Sequence, residues 1–396
     1  MFLDVLRRRN PALISAAIAL HQSGHLPSNT YVLDLDTISA NARALATEAG
    51  RLGLTPFAMT KQIGRNPDAC QAIMEGGIEA AVAVDMECAR ATTRAGMRLG
   101  HLGHLVQVPR AEAAAAAAMR PANWTVFSTD KARQAATAAG HAGHDQALLA
   151  RIHTEGDEFY SGHEGGFPAR DILAVADGLD ALDSAHFAGI TTFPALLFDP
   201  ETRSVRRTRN LATLEQAATR LHDQGRTNIQ INGPGTTSTE TLAALASAGV
   251  TQVEPGHALT GTTPWHAATD LPERPAVCYL SEVSHLYGGR AYCFGGGMYV
   301  DPVFPPYQVQ AVVGHDPSST ATLDATLPPP QAIDYYGQLE VPAHAVVETG
   351  TSVVFGFRVQ AFVTRAYTAG VRGLATGNPR VAGIWAADGS AASWPR

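Results

Sequence analysis

The chain has 396 residues, 45% of them hydrophobic and 16% charged, which suits two folded domains and excludes a disordered polymer. Its formal net charge is −7 and it carries no basic run, which argues against nucleic acid as a partner. Cys70, Cys88, Cys278 and Cys293 are far apart and form no Cys-x-x-Cys pair, so free thiols in a reducing cytoplasm are expected and no zinc or redox couple is.

Met1 to His21 is amphipathic, but arginines interrupt it early and no cleavage site follows an apolar core, so it is not read as a signal peptide. No apolar run approaches the length of a membrane span. Asn10-Pro11 opens a helix to about Ser23, where Gly24 and Pro27 end it. From Tyr31 onward, strand-like and helical stretches alternate at the spacing of a parallel α/β fold. The expected strands are Tyr31–Leu35, Pro56–Thr60, Ala80–Val84, His104–Val108, Thr125–Ser128, Ala147–His153, His186–Phe193, Asn228–Asn232 and Gln252–Glu254. Helices fall between them, including one over Asp68–Glu75 and an alanine-rich run, Ala111–Met119, on the outside of the sheet. The count suits a (β/α)8 TIM-like barrel with one strand outside it or one segment misread. After about Trp265 helical periodicity fades, and short Val-, Tyr- and Phe-rich runs such as Tyr292–Tyr299 and Val353–Val363 predict a β-domain. The expected organisation is an N-terminal helical segment over 1–28, a barrel over 29–265 and a C-terminal β-domain over 266–396.

Three strand ends carry residues that packing does not require. Lys61 closes the apolar run Phe57–Thr60, where desolvation favours the neutral, nucleophilic amine that a Schiff base with an aldehyde needs. Asn232-Gly233-Pro234-Gly235-Thr236-Thr237-Ser238-Thr239 joins a strand to a helical pattern over Glu240–Ala248, an arrangement that offers backbone N–H groups and a helix N-terminus to a phosphate. Glu254-Pro255-Gly256-His257 again ends a strand in a turn. A barrel enzyme keeps its chemistry at the carboxyl ends of its strands, with phosphate on the late loops, so the three converge. His153, at the end of Leu148–Ile152, is expected to face this site and Arg151 to point away. The pairs His101/His104 and His141/His144 lie in glycine-rich contexts and are expected at the surface, with no metal site.

The order of these motifs resembles the fold-type III pyridoxal-phosphate enzymes, the alanine racemase and ornithine/diaminopimelate decarboxylase group. Tyr31-Val32-Leu33-Asp34-Leu35-Asp36 and Asn41-Ala42 look like that group's opening strand and helix, and Thr60-Lys61-Gln62-Ile63-Gly64-Arg65-Asn66-Pro67 resembles the YhfX-like family. The resemblance implies pyridoxal 5'-phosphate on Lys61, its phosphate on Asn232, Gly233, Gly235, Thr236 and Thr237, and its ring nitrogen beside Glu254. Gly256 and His257 complete that turn, and Phe193 stands where alanine racemase stacks a histidine on the ring. It also implies a cytoplasmic homodimer whose paired subunits share their sites. The second acid or base must come from the β-domain, where Tyr335, Tyr336 and Cys293 are the candidates. A metal-dependent D-threonine aldolase or D-serine dehydratase would carry a His-x-Asp or His-x-Cys pair there, and none occurs after Trp265. The expected activity is racemisation or epimerisation of an amino acid at Cα; the alternatives are decarboxylation and non-catalytic carriage of the cofactor.

Overall fold

The structure is a computed structural model that describes residues 1–299, 306–329, 331–343, 345–358, 360–392 and 394. The chain divides into two compact units, one formed by 43–60 and 77–256, the other by 1–42, 61–76 and 257–396. Its first strand, β1 (Thr30–Asp34), belongs to the second of these.

In the first unit, β2 (Thr55–Pro56) and β3 (Ala58–Met59) succeed each other on one extended segment. There follow β4 (Ala80–Ala83), β5 (Arg98–Leu102), β6 (Asn123–Val126), β7 (Gln146–His153), β8 (Phe167–Pro168), β9 (Ala185–Thr191), β10 (Leu196–Asp199), β11 (Ser204–Arg207), β12 (Gln230–Asn232) and β13 (Gln252–Val253). Parallel pairing runs β3-β4-β5-β6-β7-β9-β12-β13-β2, so the segment 55–59 joins both ends and closes an eight-position barrel. β8 only extends the end of β7, and β10 with β11 makes a separate hairpin.

Short polar caps turn some of the strands into the next helix. Asp85 accepts from Cys88 N after β4, and Ser128 accepts from Lys131 N after β6. The alanine-rich helix Ala113–Ala118 buries Ala113, Ala116 and Ala117 against the barrel, a helical period of three and four that explains a run otherwise without information.

Two strand expectations need correction. His104–Val108 is a loop; the strand lies earlier, at β5, and ends where Gly103 takes φ 79°. A Cβ there would also meet Thr125 O at 2.9 Å, so the glycine is required and the apparent alternation after it is incidental. The strand at Tyr31–Leu35 is the one outside the barrel: β1 pairs antiparallel with β14 (Val277–Tyr287).

The second unit continues with β15 (Arg290–Phe294), β16 (Val309–Asp316), β17 (Ser319–Thr326), β18 (Tyr336–Glu340), β19 (Ser352–Phe355), β20 (Tyr367–Arg372) and β21 (Arg380–Ala386). The antiparallel ring β14-β15-β18-β17-β16-β19 closes on β14, and β1, β20 and β21 extend it. Helices Phe2–Arg9 and Pro11–Gln22 bury Leu6, Leu13, Ile14 and Ile18 against Val32, Cys278, Leu280 and Val354 of that sheet. Of the stretch Val353–Val363, only the part within β19 is strand; Ala361–Val363 is a 3-10 turn and Val359 lies outside the described residues. Among the described residues no helix is long and apolar enough to cross a membrane.

Candidate functional site

Parallel pairing puts partners on one face, and side chains two residues apart share it. The registers Arg151↔Thr191, Thr191↔Asn232 and Asn232↔Gln252 therefore place Arg151, Thr191, Asn232 and, two residues on from Gln252, Glu254 on one face of the barrel wall. Hydrogen bonds show that this face is the interior. Asn232 Nδ2 donates to Glu254 Oε1 at 3.0 Å and Thr191 Oγ1 donates to Asn232 Oδ1 at 2.7 Å. From β5, His101 Nδ1 lies 2.5 Å from the same Glu254 Oε1, and its Nε2 lies 2.5 Å from Thr125 Oγ1. His104 Nε2 stands 3.3 Å from Glu254 Oε2.

All of these side chains are buried. Burial alone would raise the Glu254 carboxyl, but its electrostatic interactions with the His104 and His101 imidazoles, with hydrogen bonds from His101 and Asn232, outweigh it and hold the group below the usual carboxylate range. Glu254 Oε2 accepts no hydrogen bond among the described residues. His101, His104 and Glu254 are also the only described group of three that could hold a metal. Both His101 nitrogens lie within hydrogen-bond distance of protein oxygens, Glu254 Oε1 and Thr125 Oγ1.

Sequence reasoning placed His101 and His104 at the surface; they are buried against Glu254. The alternation is broken at Gly100, where the register slips from Ala81↔Leu99 to Val82↔His101, so His101 does not follow the face of Leu99 and simple period two misses it. Arg151 likewise does not point away from His153. Two residues apart on β7, they share a face. Its guanidinium is fully buried, 4.9 Å from the Phe127 ring, and bonds only to carbonyls, His163 O at 2.8 Å and His104 O at 3.4 Å. No carboxylate pairs with it among the described residues, and burial lowers it to about 10. Half-buried Phe193 closes an aromatic group with His104, Tyr160 and His163, at centroid distances of 5.5, 5.7 and 6.0 Å. His153 packs edge-on to Phe159.

The loop after β12 is only partly the cradle expected. Gly233 N donates to Gln252 O and Thr236 N to Leu196 O, each at 3.0 Å. The N–H groups of Gly235 and Thr237 make no hydrogen bond among those described, which leaves them for a ligand. The helix that follows is short, a 3-10 turn at Thr239–Thr241 and then Leu242–Ser247, so its dipole is weak. A Cβ on Gly235 would meet Leu196 O and N at 2.6 and 2.7 Å; this glycine is required by the neighbouring chain. Asn232 has its amide committed to Thr191 and Glu254, not to the loop. Pro255 O accepts from Met59 N at 2.9 Å, which ties the Glu254-Pro255-Gly256 turn to β3.

The other expected residues belong to the second unit. Lys61 directly follows Thr60 in a 3-10 turn, Lys61–Ile63, with Nζ 4.7 Å from the Phe362 ring centroid. Gly64 at φ 65° and the Asn66 cap on Ala69 N then turn the chain into helix Pro67–Glu75. His257 is buried in the turn His257–Thr260. Cys293 is fully buried in β15 with Sγ 3.7 Å from Gly337 O, and burial pushes its thiol up to about 12; it is a packing thiol, not an acid–base group. Tyr335 and Tyr336 are 66% and 40% exposed, and Tyr336 packs edge-on to His285 at 5.2 Å.

Residues 33–264 match the alanine racemase N-terminal domain and residues 278–381 the YhfX-like C-terminal domain. The chain is 38% identical over 389 residues to the uncharacterized protein YhfX of Escherichia coli strain K12, with 97% of each chain covered. Its fold is similar to that of D-threonine aldolase from Filomicrobium marinum (TM-score 0.70, 18% identity, 92% of this chain and 95% of that one). It is also similar to D-threo-3-hydroxyaspartate dehydratase from Delftia sp. HT23 (0.63, 17%, 90% and 97%) and to alanine racemase from Clostridium difficile 630 (0.64, 13%, 91% and 99%).

Proposed function

Because the chain belongs to the alanine racemase N-terminal domain family, we propose that it is a pyridoxal-phosphate-dependent enzyme acting at Cα of an amino acid, as a racemase or epimerase. One observation carries the reading. A buried, ionised carboxylate, Glu254, keeps one oxygen that accepts no hydrogen bond, with the His104 imidazole 3.3 Å from it, at the carboxyl end of the barrel strands, where such barrels work. A carboxylate so placed fits a protonated ring nitrogen, and the unspent N–H groups of Gly235 and Thr237 fit a phosphate. When bound, the cofactor supplies an electron sink for charge developing at Cα.

The remaining roles fall to residues of this chain. Lys61 would hold the aldehyde covalently and serve one face of Cα. Glu254 would favour a protonated ring nitrogen, and the Phe193 face would offer an apolar wall to the ring. Asn232 orients Glu254, while the N–H groups of Gly235 and Thr237, in the loop fixed by Gly233 and Thr236, would hold the phosphate, and Gly256 and His257 would complete the neighbouring turn. Arg151, a buried cation with only carbonyl partners, suits an anionic group of the ligand. Tyr335 or Tyr336, both exposed on their own unit, would serve the opposite face of Cα in the site of a second copy, making the active form a homodimer. Two tyrosines favour proton return over decarboxylation, which needs a carboxylate left unpaired in an apolar pocket.

The test is incubation of the cofactor-loaded protein with a panel of amino acids in deuterium oxide, followed by chiral separation and mass measurement. Racemisation with uptake of one deuterium at Cα is expected. Release of carbon dioxide without scrambling of the Cα proton would overturn the racemase reading.

A further inference from the structure

Glu254 Oε1 is approached by His101 Nδ1 at 2.5 Å and Asn232 Nδ2 at 3.0 Å, while Oε2 accepts no hydrogen bond and has His104 Nε2 at 3.3 Å. That asymmetry is built by two chains of donors. On one side Thr191 Oγ1 donates to Asn232 Oδ1 at 2.7 Å, and the Asn232 amide donates onward. On the other side the only hydrogen bond described for the Thr125 hydroxyl is to His101 Nε2, at 2.5 Å. A buried hydroxyl spends its proton where an acceptor is in reach, so Thr125 donates and Nε2 accepts. An imidazole that accepts at Nε2 carries its proton on Nδ1, the atom facing Glu254.

Resting on the reading of Glu254 as the partner of a ring nitrogen, we propose that His101 is a positioning residue. It is held by Thr125 as the Nδ1–H tautomer and, with Asn232, saturates Glu254 Oε1 so that Oε2 alone is presented to the cofactor. Every proton in the two chains points the same way, Thr125 to His101 to Glu254 and Thr191 to Asn232 to Glu254. The carboxylate is thereby fixed in rotation, and a ring nitrogen would meet the oxygen that accepts no hydrogen bond and has only the His104 imidazole, at 3.3 Å, beside it. His101 touches neither cofactor nor substrate in this scheme.

The first test needs no cofactor. The imidazole nitrogens of His101, assigned by comparison with His101→Asn, are followed by 15N NMR in the protein alone. An Nδ1–H pattern is expected, with the Nε2 signal displaced in Thr125→Val; an Nε2–H pattern, or no displacement, overturns the proposal. The second test reads the ring nitrogen of bound 15N-labelled pyridoxal phosphate. His101→Phe should lose the shift of a protonated ring nitrogen and His101→Asn, which replaces the Nδ1–H donor, should restore it. If His101→Phe does not fold, Thr125→Val must move the ring shift in the same direction, and an unmoved shift overturns the proposal. A shift that Glu254→Gln moves and His101→Phe does not overturns the proposal alone. A shift that Glu254→Gln leaves unchanged overturns the reading beneath it.

Discussion

Thr191 Oγ1 lies 2.7 Å from Asn232 Oδ1, and this bond fixes which end of the Asn232 amide faces Glu254. Asn232 therefore acts through the carboxylate. Asn232→Ala leaves a buried hydroxyl and half the support of Oε1 unpaired, at a cost of about 1–3 kcal/mol. Urea unfolding should show that loss, and Asn232→Leu, which fills the space without restoring the donor, should not recover it.

Glu254 titrates below its ordinary range in the folded protein. A group with a depressed folded value contributes stability above its unfolded value of about 4.3, and that contribution disappears as pH falls through the lower folded value. The unfolding midpoint should thus fall from pH 5 towards pH 3, and less steeply in Glu254→Gln. The same variant should retain cofactor and lower turnover in either direction, because it weakens protonation of the ring and does not choose between bonds at Cα.

The loop after β12 separates fold from ligand binding. Gly235→Val drives a side chain into the Leu196 main chain and should compromise folding, read as a lowered melting temperature without any ligand. Thr237→Val gives up only the buried hydroxyl's 3.3 Å bond to Gly235 O, so it should lower melting much less than Gly235→Val while weakening cofactor binding by about 1 kcal/mol. Equal melting losses in both variants would contradict this division.

Much of the fold was legible because the barrel announces itself by alternation and by the residues at its strand ends. Lys61, the Gly233–Thr237 loop and Glu254 each follow a strand, as period and glycine placement require. The support around Glu254 was not legible. Gly100-His101-Leu102-Gly103-His104 looks like a loop because two glycines interrupt it, yet Gly100 sits within β5 where a Cβ would strike the Phe57 ring at 2.4 Å. Arg151 was lost to a miscounted face, since period two puts it with His153. The Cys293 expectation failed for another reason. Proximity to a glycine turn suggested access, but only packing decides whether a strand thiol sees solvent.

Tyr335 and Tyr336 stand next to each other, but only Tyr336 lies within β18 and packs on His285. Tyr335 is the more exposed and follows Asp334, whose carboxylate accepts from Gly296 N at 2.8 Å and Met298 N at 3.0 Å and so anchors the turn. Tyr335→Phe should abolish Cα proton exchange from one enantiomer while leaving the other, and Tyr336→Phe should have the smaller effect. Exchange rates for each enantiomer in deuterium oxide check this. Equal losses from both enantiomers would remove Tyr335 from the reaction.

The central claim is that Lys61 carries pyridoxal phosphate. Protein incubated with the cofactor and reduced with borohydride should gain one phosphopyridoxyl group, located by peptide mass spectrometry on Lys61, and Lys61→Ala should gain none. A colourless protein that takes up no cofactor, or a label that persists unchanged in Lys61→Ala, would contradict the account.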